Sequence, residues 1–124
     1  ALYGLHEALR LVLEEGLEAR WARHRRVSEQ LVAGLADMDI EVIPPEAERL
    51  PPLTTLRIPE GVDDADFRRR LLERHHLEVG AGLGELAGKA WRIGLMGHGC
   101  NEEAVQRVLA AMREEMATPA RAAA

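Results

Sequence analysis

The chain has a single cysteine, Cys100, and few aromatic residues, which make up 3% of its 124 residues. One cysteine excludes an internal disulfide bond and agrees with a reducing compartment. The apolar runs all fall short of the roughly 18 residues that a membrane-spanning helix needs, and no signal-peptide pattern opens the sequence. We therefore expect a cytoplasmic protein without a membrane partner.

Basic residues are in the minority, since 16 lysines and arginines face 21 aspartates and glutamates. The resulting net charge of -5 argues against a nucleic-acid partner, because affinity for nucleic acid rests on cations that neutralise phosphates. Two short arginine clusters, at 23–26 and 68–70, are spread around their predicted helices by the helical twist. We expect both clusters to be solvated.

The apolar pattern predicts four helices and a small sheet in one α+β domain. The helices run from Leu2 to a break at Gly16, from 17 to 35, from a cap at Asp63 or Asp64 to 75–76, and from a cap at Asn101 to 118–119. Extended segments are predicted at 40–43, 53–58, 77–79 and 91–95. We expect an antiparallel-rich sheet covered by helices within 1–118, followed by a tail at 119–124.

The most informative segment is the run 91–97, which reads WRIGLMG. Strand alternation sends Trp91, Ile93 and Leu95 to one face and Arg92, Gly94 and Met96 to the other. Because Gly94 has no side chain, we expect open space beside the Arg92 guanidinium. A small anion fits there, since the planar fork of arginine grips a carboxylate through two parallel hydrogen bonds. The alternative is that Arg92 is paired with an internal glutamate or lies outward at the sheet edge.

A glycine-dense loop, GAGLGELAGK at 80–89, precedes this strand and can approach a ligand closely. It lacks the spacing of a dinucleotide fingerprint and the Gly-Lys-Ser/Thr of a nucleotide P-loop, so a phosphate-binding role is only weakly supported.

Taken as a whole, residues 79–97 resemble the C-terminal part of class V aminotransferases of the alanine/serine-glyoxylate (serine-pyruvate) type. The segments at 2–9, 17–24 and 53–56 are also similar to that family. The resemblance implies the small C-terminal domain of an aspartate-aminotransferase-like enzyme, pyridoxal-phosphate fold type I, in which 1–16 is the end of the interdomain helix.

In that family the arginine of the matching strand binds the substrate α-carboxylate, which implies this role for Arg92. The turn at Gly82, Leu83 and Gly84 matches a loop that borders the active site and is expected to neighbour the substrate. Lys89 matches a structural position and is not assigned as the lysine that forms a Schiff base with the cofactor. The resemblance therefore assigns no catalytic and no cofactor-binding residue to this chain.

The implied activity is amino-group transfer from an alanine- or serine-type amino acid to glyoxylate or a similar 2-oxo acid. Pyridoxal 5'-phosphate would be bound mainly by an N-terminal domain of the same enzyme that precedes Ala1. The chain alone is then expected to be inactive, and the resemblance implies a homodimer. Its apolar faces on the first helix and beside Trp91 should be exposed without that domain.

Two other functions are consistent with the residues alone. The chain could be a stand-alone carboxylate-binding or regulatory module without catalysis, which would share the use of Arg92. It could also be a structural or dimerisation segment, in which case an internal carboxylate should occupy Arg92.

Histidines at 75, 76 and 98 and the thiol of Cys100 belong to residue types that bind zinc. They lack a second ligand pair at a characteristic spacing, and we predict no metal site. Cys100 could instead be a nucleophile, as in the cysteine desulfurases that share the aminotransferase fold. However, it follows the arginine strand rather than preceding it, which favours a structural role. Trp21 and Trp91 are expected to be packing residues rather than cofactor stackers.

Overall fold

The structure is a computed structural model that describes residues 1–117. Its four helices are α1 (Leu2–Glu15), α2 (Leu17–Ala36), α3 (Asp64–His75) and α4 (Glu102–Ala117), and its strands are β1 (Leu53–Arg57), β2 (Gly80–Ala81) and β3 (Ala90–Gly94). The predicted α+β class is confirmed. The predicted domain end at 118 and the tail at 119–124 lie outside the described residues.

The helix boundaries follow from the residues that the sequence analysis identified. Gly16 separates α1 from α2 with a φ of 83°, a value that favours glycine. The Asp63 carboxylate caps α3 by accepting a hydrogen bond of 2.7 Å from the backbone N–H of Asp66. The side chain of Asn101 accepts one of 2.8 Å from the N–H of Ala104 at the start of α4. The predicted caps therefore hold, with Asp63 rather than Asp64 at α3.

The sheet is antiparallel, in the order β1-β3-β2, so that β3 is its central strand. The strand predicted at 40–43 is wrong, because Val42 makes only an isolated bridge to Leu56. The prolines at 44 and 45 have no N–H to continue a ladder. The segment predicted to be extended at 77–79 leads into β2, whose pairing with β3 begins at Gly80.

The core lies between one face of the sheet and α2, α3 and α4. Trp91 on β3 and Phe67 on α3 are fully buried, and their rings stack with centroids 4.3 Å apart. Such stacking adds to the free energy gained by burying two large rings. The packing role predicted for Trp91 is confirmed.

The first helix stands apart from this core. Within α1 no residue is buried, and Leu2, Leu5 and Leu13 are among its exposed apolar side chains. The exposed apolar face predicted for this helix is confirmed, whereas Trp91 itself is buried. Trp21 is 62% exposed, so the packing role predicted for it is wrong within the described chain. None of the described helices is both long and apolar enough to span a bilayer.

Helices α2 and α4 approach each other closely at Gly34. A Cβ atom added to Gly34 would lie 2.2 Å from Cδ1 of Leu109 on α4, well inside any normal contact. Gly34 is buried within a helix, where glycine is otherwise unfavourable. Close helix packing, and not backbone conformation, therefore explains glycine at this position.

We predict that Gly34→Ala lowers the free energy of unfolding, whereas Gly4→Ala raises it. Alanine favours both helices by about 1 kcal/mol over glycine, but overpacking a core costs about 1 to 3 kcal/mol. Gly4 on α1 has nothing within 4 Å of an added Cβ and is the matched control. Denaturant unfolding of the two variants measures both effects. Equal stabilisation by the two substitutions would contradict the close packing at Gly34.

Candidate functional site

The two faces of β3 have opposite character. Trp91, Ile93 and Leu95 are buried, with exposures of 0%, 5% and 4%. Arg92 is half-buried on the other face, which it shares with the exposed Gly94 and Met96. The alternation predicted for this strand is confirmed, and it places the arginine outside the core.

The Arg92 guanidinium is oriented by the neighbouring strand. Its Nε donates a hydrogen bond of 2.8 Å to the carbonyl oxygen of Ala81. Arg92 pairs with Gly80 across the ladder, and a Cβ at Gly80 would lie 3.4 Å from an Arg92 terminal nitrogen. The bond through Nε leaves both terminal nitrogens to bind a carboxylate end-on.

Within residues 1–117, no carboxylate forms a salt bridge with Arg92. Most arginines within residues 1–117 form a salt bridge with a carboxylate, including Arg23, Arg57 and Arg70. The described residues therefore offer no support for the alternative in which an internal carboxylate occupies Arg92. A positive group partly withdrawn from water and lacking a counter-charge favours an anionic ligand.

The space beside Gly94 is not fully open. A Cβ at Gly94 would lie 3.2 Å from Cε of Met96, so the methionine side chain folds back over the glycine on the face of Arg92. The expectation of empty space beside the guanidinium is wrong to that extent. Met96 is 60% exposed and lies on the same face as Arg92.

The glycine loop is fixed against β3 at Gly82. The N–H of Gly82 donates a hydrogen bond of 2.8 Å to the carbonyl of Ala90, and a Cβ here would lie 2.0 Å from the carbonyl oxygen of Leu86. Gly84 has a φ of 56° and begins a single 3-10 turn, and Leu83 is 67% exposed. The contacts between this region and the Arg92 side chain come from Gly80 and Ala81. Ala81 was missed, because a backbone carbonyl leaves no signal in residue type.

Trp91 ties β3 to α3 on the buried side. Its Nε1 donates a hydrogen bond of 2.8 Å to the carboxylate of Asp64. The hydrogen bond from Arg68 and, to a smaller extent, that from Trp91 lower the pKa of Asp64, although burial acts against them. Asp64 therefore stays ionised and anchors the strand that carries Arg92.

The prediction that both arginine clusters are solvated is wrong for two of their members, Arg70 and Arg23. Arg70 on α3 is 8% exposed and binds the carboxylate of Glu115, which is 1% exposed. Arg23 on α2 donates to Glu15 and to the carbonyl groups of Gly97 and Cys100. Both arginines hold helices or turns together, which their sequence positions alone did not reveal.

Glu115 is the centre of a buried ionic cluster. His75 lies 2.9 Å from its carboxylate and Arg74 lies 3.3 Å away, in addition to Arg70. Burial on its own would raise the pKa of Glu115, but the hydrogen bond from His75 and the charges of Arg74 and Arg70 outweigh burial and lower it. The carboxylate is thus held ionised inside the protein.

Among residues 1–117, one group of metal-ligating side chains lies within reach of a shared ion: His75, Glu114 and Glu115. Two arginines already neutralise Glu115, and their positive charges would repel a cation. The thiol of Cys100 is fully buried, and burial raises its pKa, so it is a weak nucleophile at neutral pH. These contacts support a structural role for both Glu115 and Cys100.

Known aminotransferases match the chain in sequence and in structure. The chain is 43% identical over 111 residues to the (S)-ureidoglycine-glyoxylate transaminase of Bacillus subtilis, covering 90% of this chain and 27% of that protein. It is 37% identical to the alanine-glyoxylate aminotransferase of Felis catus, covering 94% and 28%. The crystal structure of an alanine-glyoxylate aminotransferase from Nostoc sp. superposes with a TM-score of 0.90 at 46% identity, covering 92% and 30%. The chain is a homologue of one part of these aminotransferases.

The resemblance seen in the sequence is thereby confirmed, together with the aminotransferase fold class. An aspartate aminotransferase from Thermus thermophilus shares the fold at a TM-score of 0.70 and 28% identity. No protein-family model matches the chain. The chain spans a little over a quarter of the length of the curated relatives it matches, 27% and 28% in the two cases above.

Pyridoxal phosphate is the cofactor that this homology implies, and the described residues do not fit it. Schiff-base chemistry needs a lysine. Lys89, the one lysine of the chain, is exposed in a turn closed by the hydrogen bond of 3.0 Å from its own N–H to Leu86. Arg92 is therefore kept as a candidate carboxylate-binding residue, and no Schiff-base lysine is assigned within residues 1–117.

We predict that Glu115→Gln lowers the free energy of unfolding by about 2 kcal/mol at neutral pH, because it removes the charge that Arg70, Arg74 and His75 share and leaves the buried Arg70 paired with Asp66 alone. The exposed Glu73, which pairs with Arg69, provides the control Glu73→Gln, with an expected loss below about 0.5 kcal/mol. Denaturant unfolding measures both. A loss at position 115 no larger than that at 73 would contradict the role of the cluster.

The native chain and Glu115→Gln together test how stability depends on pH. Since the folded pKa of Glu115 is lowered, its contribution is complete above the pKa of an unfolded glutamate, about 4.3, and is lost as the pH falls through the folded value. The native chain should therefore lose stability on acidification below about pH 4.3, and Glu115→Gln should lose less over the same range. If the two proteins lost equal stability on acidification, the lowered pKa assigned to Glu115 would be contradicted.

Proposed function

We propose that this chain is the substrate-carboxylate-binding part of a pyridoxal-phosphate-dependent transaminase. The reaction is transfer of an amino group from a small amino acid of the alanine or serine type to glyoxylate or a similar 2-oxo acid. The observation that supports this function most directly is Arg92, which is oriented by Ala81 and has no carboxylate partner within residues 1–117. The relatives named above act on glyoxylate, which carries a carboxylate.

The chain's own contribution is to bind and orient. The terminal nitrogens of Arg92 hold the carboxylate end-on, while the bond from Nε to Ala81 fixes the plane of the guanidinium. Fixing the carboxylate removes rotational freedom from the bound substrate and places its α-carbon in a defined position. The Gly82-Leu83-Gly84 turn borders the bound substrate. Pyridoxal phosphate, bound mainly by an N-terminal domain of the same enzyme, supplies the amino-transfer chemistry.

The surface of α1 supports a contact with that further domain. Leu2, Leu5, Leu9 and Leu13 are all more than half exposed, with exposures of 81%, 57%, 54% and 80%. Apolar residues at this spacing on a helix normally bury their shared face. We assign 1–16 to the end of an interdomain helix and the rest of 1–118 to a small domain of a cytoplasmic homodimer.

We predict that Arg92→Ala in the complete enzyme raises the KM for the amino acid about a hundredfold, since a charge-assisted bidentate contact contributes about 2 to 3 kcal/mol. Arg92→Lys should recover only part of this loss, because an ammonium cannot bind a carboxylate through a planar fork. The measurement is steady-state kinetics with alanine or serine and glyoxylate.

Arg57→Ala is the matched control, because Arg57 also lies on the sheet but is exposed and paired with Glu41. It should leave the KM unchanged. Near-normal kinetics for Arg92→Ala would refute the assignment of the carboxylate site. Carboxylate binding by a complete protein that has no transaminase activity would instead support a stand-alone binding module.

A further inference from the structure

The turn that follows β3 is held at both backbone polar groups of Gly97 by side chains from α2. The N–H of Gly97 donates a hydrogen bond of 3.1 Å to Nε2 of His24. The carbonyl of Gly97 accepts one of 3.0 Å from Nη1 of Arg23, which also donates to the carbonyl of Cys100 at 2.5 Å. Gly97 has a φ of 58°, so the turn has the conformation that glycine adopts most readily.

The partners of His24 determine its protonation. Nε2 accepts a hydrogen bond from Gly97, so it carries no proton. Nδ1 lies 2.8 Å from the carbonyl oxygen of Arg20, which can only accept, so Nδ1 carries the proton. Both nitrogens of the imidazole are therefore used. A proton on Nε2 would abolish the bond to Gly97.

Arg23 is itself held by Glu15 at the end of α1. Its Nε and Nη2 bind the two oxygens of Glu15 at 2.6 and 2.9 Å, and Arg20 binds the same carboxylate at 2.8 Å. The hydrogen bond from Arg23 is the largest cause that lowers the pKa of Glu15 to about 2, with Arg20 adding to it against burial. We name the group Glu15, Arg20, Arg23 and His24 the turn clamp.

The turn clamp is connected to Arg92 through Met96. Met96 directly precedes Gly97, and its Cε lies 3.2 Å from the position of a Cβ at Gly94. Gly94 and Met96 share the face of Arg92. A shift of Gly97 would therefore displace Met96 on the face of the strand that carries Arg92.

We propose that His24 is a positioning residue, which fixes Gly97 and through it the place of Met96 beside Arg92. Its effect on substrate binding rests on the proposed function, whereas its hold on Gly97 does not. Arg23 secures the carbonyl group of the same residue, so that loss of the imidazole loosens the turn without releasing it.

The hold on Gly97 is tested by amide hydrogen exchange of the full chain, read at Gly97 by NMR. The variant His24→Phe keeps an aromatic ring but loses both ring nitrogens. Exchange of the Gly97 N–H should then accelerate about tenfold, as expected for the loss of one hydrogen bond. His24→Gln places a side-chain oxygen near the position of Nε2 and should restore protection. His24→Asn reaches only the position of Nδ1 and should behave like His24→Phe. Unchanged exchange in His24→Phe would overturn the proposal.

The effect on the site is tested by kinetics in the complete enzyme. His24→Phe should raise the KM for the amino acid about tenfold with little change in kcat, and His24→Gln should restore it. Met96→Ala should raise the KM while leaving exchange at Gly97 unchanged. A KM that does not respond to His24→Phe or to Met96→Ala would overturn the route through Met96.

His75→Phe is the matched control, because His75 is also half-buried and also bonds to a residue of another structural element, Glu115 on α4. It should leave both the KM and exchange at Gly97 unchanged while lowering stability. If it raised the KM as much as His24→Phe does, the effect of His24 would be one of general stability, and the proposal would fail. An unmodified complete protein without transaminase activity would overturn the proposed function, whereas exchange at Gly97 would still report on the turn clamp.

Discussion

The burial of one face of β3 is the constraint on which the site depends. Trp91 stacks on Phe67 and bonds to Asp64, so the strand cannot turn over without losing its largest buried side chain. Because strand side chains alternate with a period of two, a slip of one residue would exchange Trp91 for Arg92 in the core. A charged group placed there would lack a partner. The same alternation that builds the core therefore presents the arginine on the opposite face.

Arginine has two different uses in this domain. At Arg23, the carboxylate of Glu15 and two carbonyl groups take up both terminal nitrogens, and at Arg70 the carboxylate and the carbonyl of Glu115 take up Nη1, so each arginine forms a fixed junction between elements. At Arg92, one backbone carbonyl takes up Nε and leaves the terminal nitrogens to other partners. The difference lies in the surroundings, since the residue type is the same. Charge alone thus does not separate a structural arginine from a candidate binding arginine.

Much of the fold could be predicted from local pattern. The helix caps at Asp63 and Asn101, the break at Gly16 and the alternation of β3 all follow from rules that act over a few residues. The strand expected at 40–43 failed, because its apolar residues are followed by two prolines and pair with β1 only briefly. A local sequence pattern indicates the propensity of a segment to be extended, whereas its pairing in a sheet depends on partners far along the chain.

The candidate site was predictable only in part. Arg92 could be identified from its strand and from the family resemblance, but its orientation by Ala81 depends on a backbone group. Glu115 and His24 belong to helices whose crossing points the sequence does not show, so their contacts with Arg70 and Gly97 were out of reach. Trp21 was assigned to packing because tryptophan is usually buried. Its exposure reflects the position of α1 and the start of α2 beyond the core.

The salt bridge between Glu15 and Arg23 has a mechanical consequence. Glu15 is the last residue of a helix of 14 residues, which is about 21 Å long and is not seated in the core. A rigid rod fixed near one end converts sideways displacement of its free end into torque at the fixed end. A partner that binds along the leucines of α1 would therefore transmit force through Glu15 and Arg23 to the backbone at Gly97, in the turn that follows the strand of Arg92.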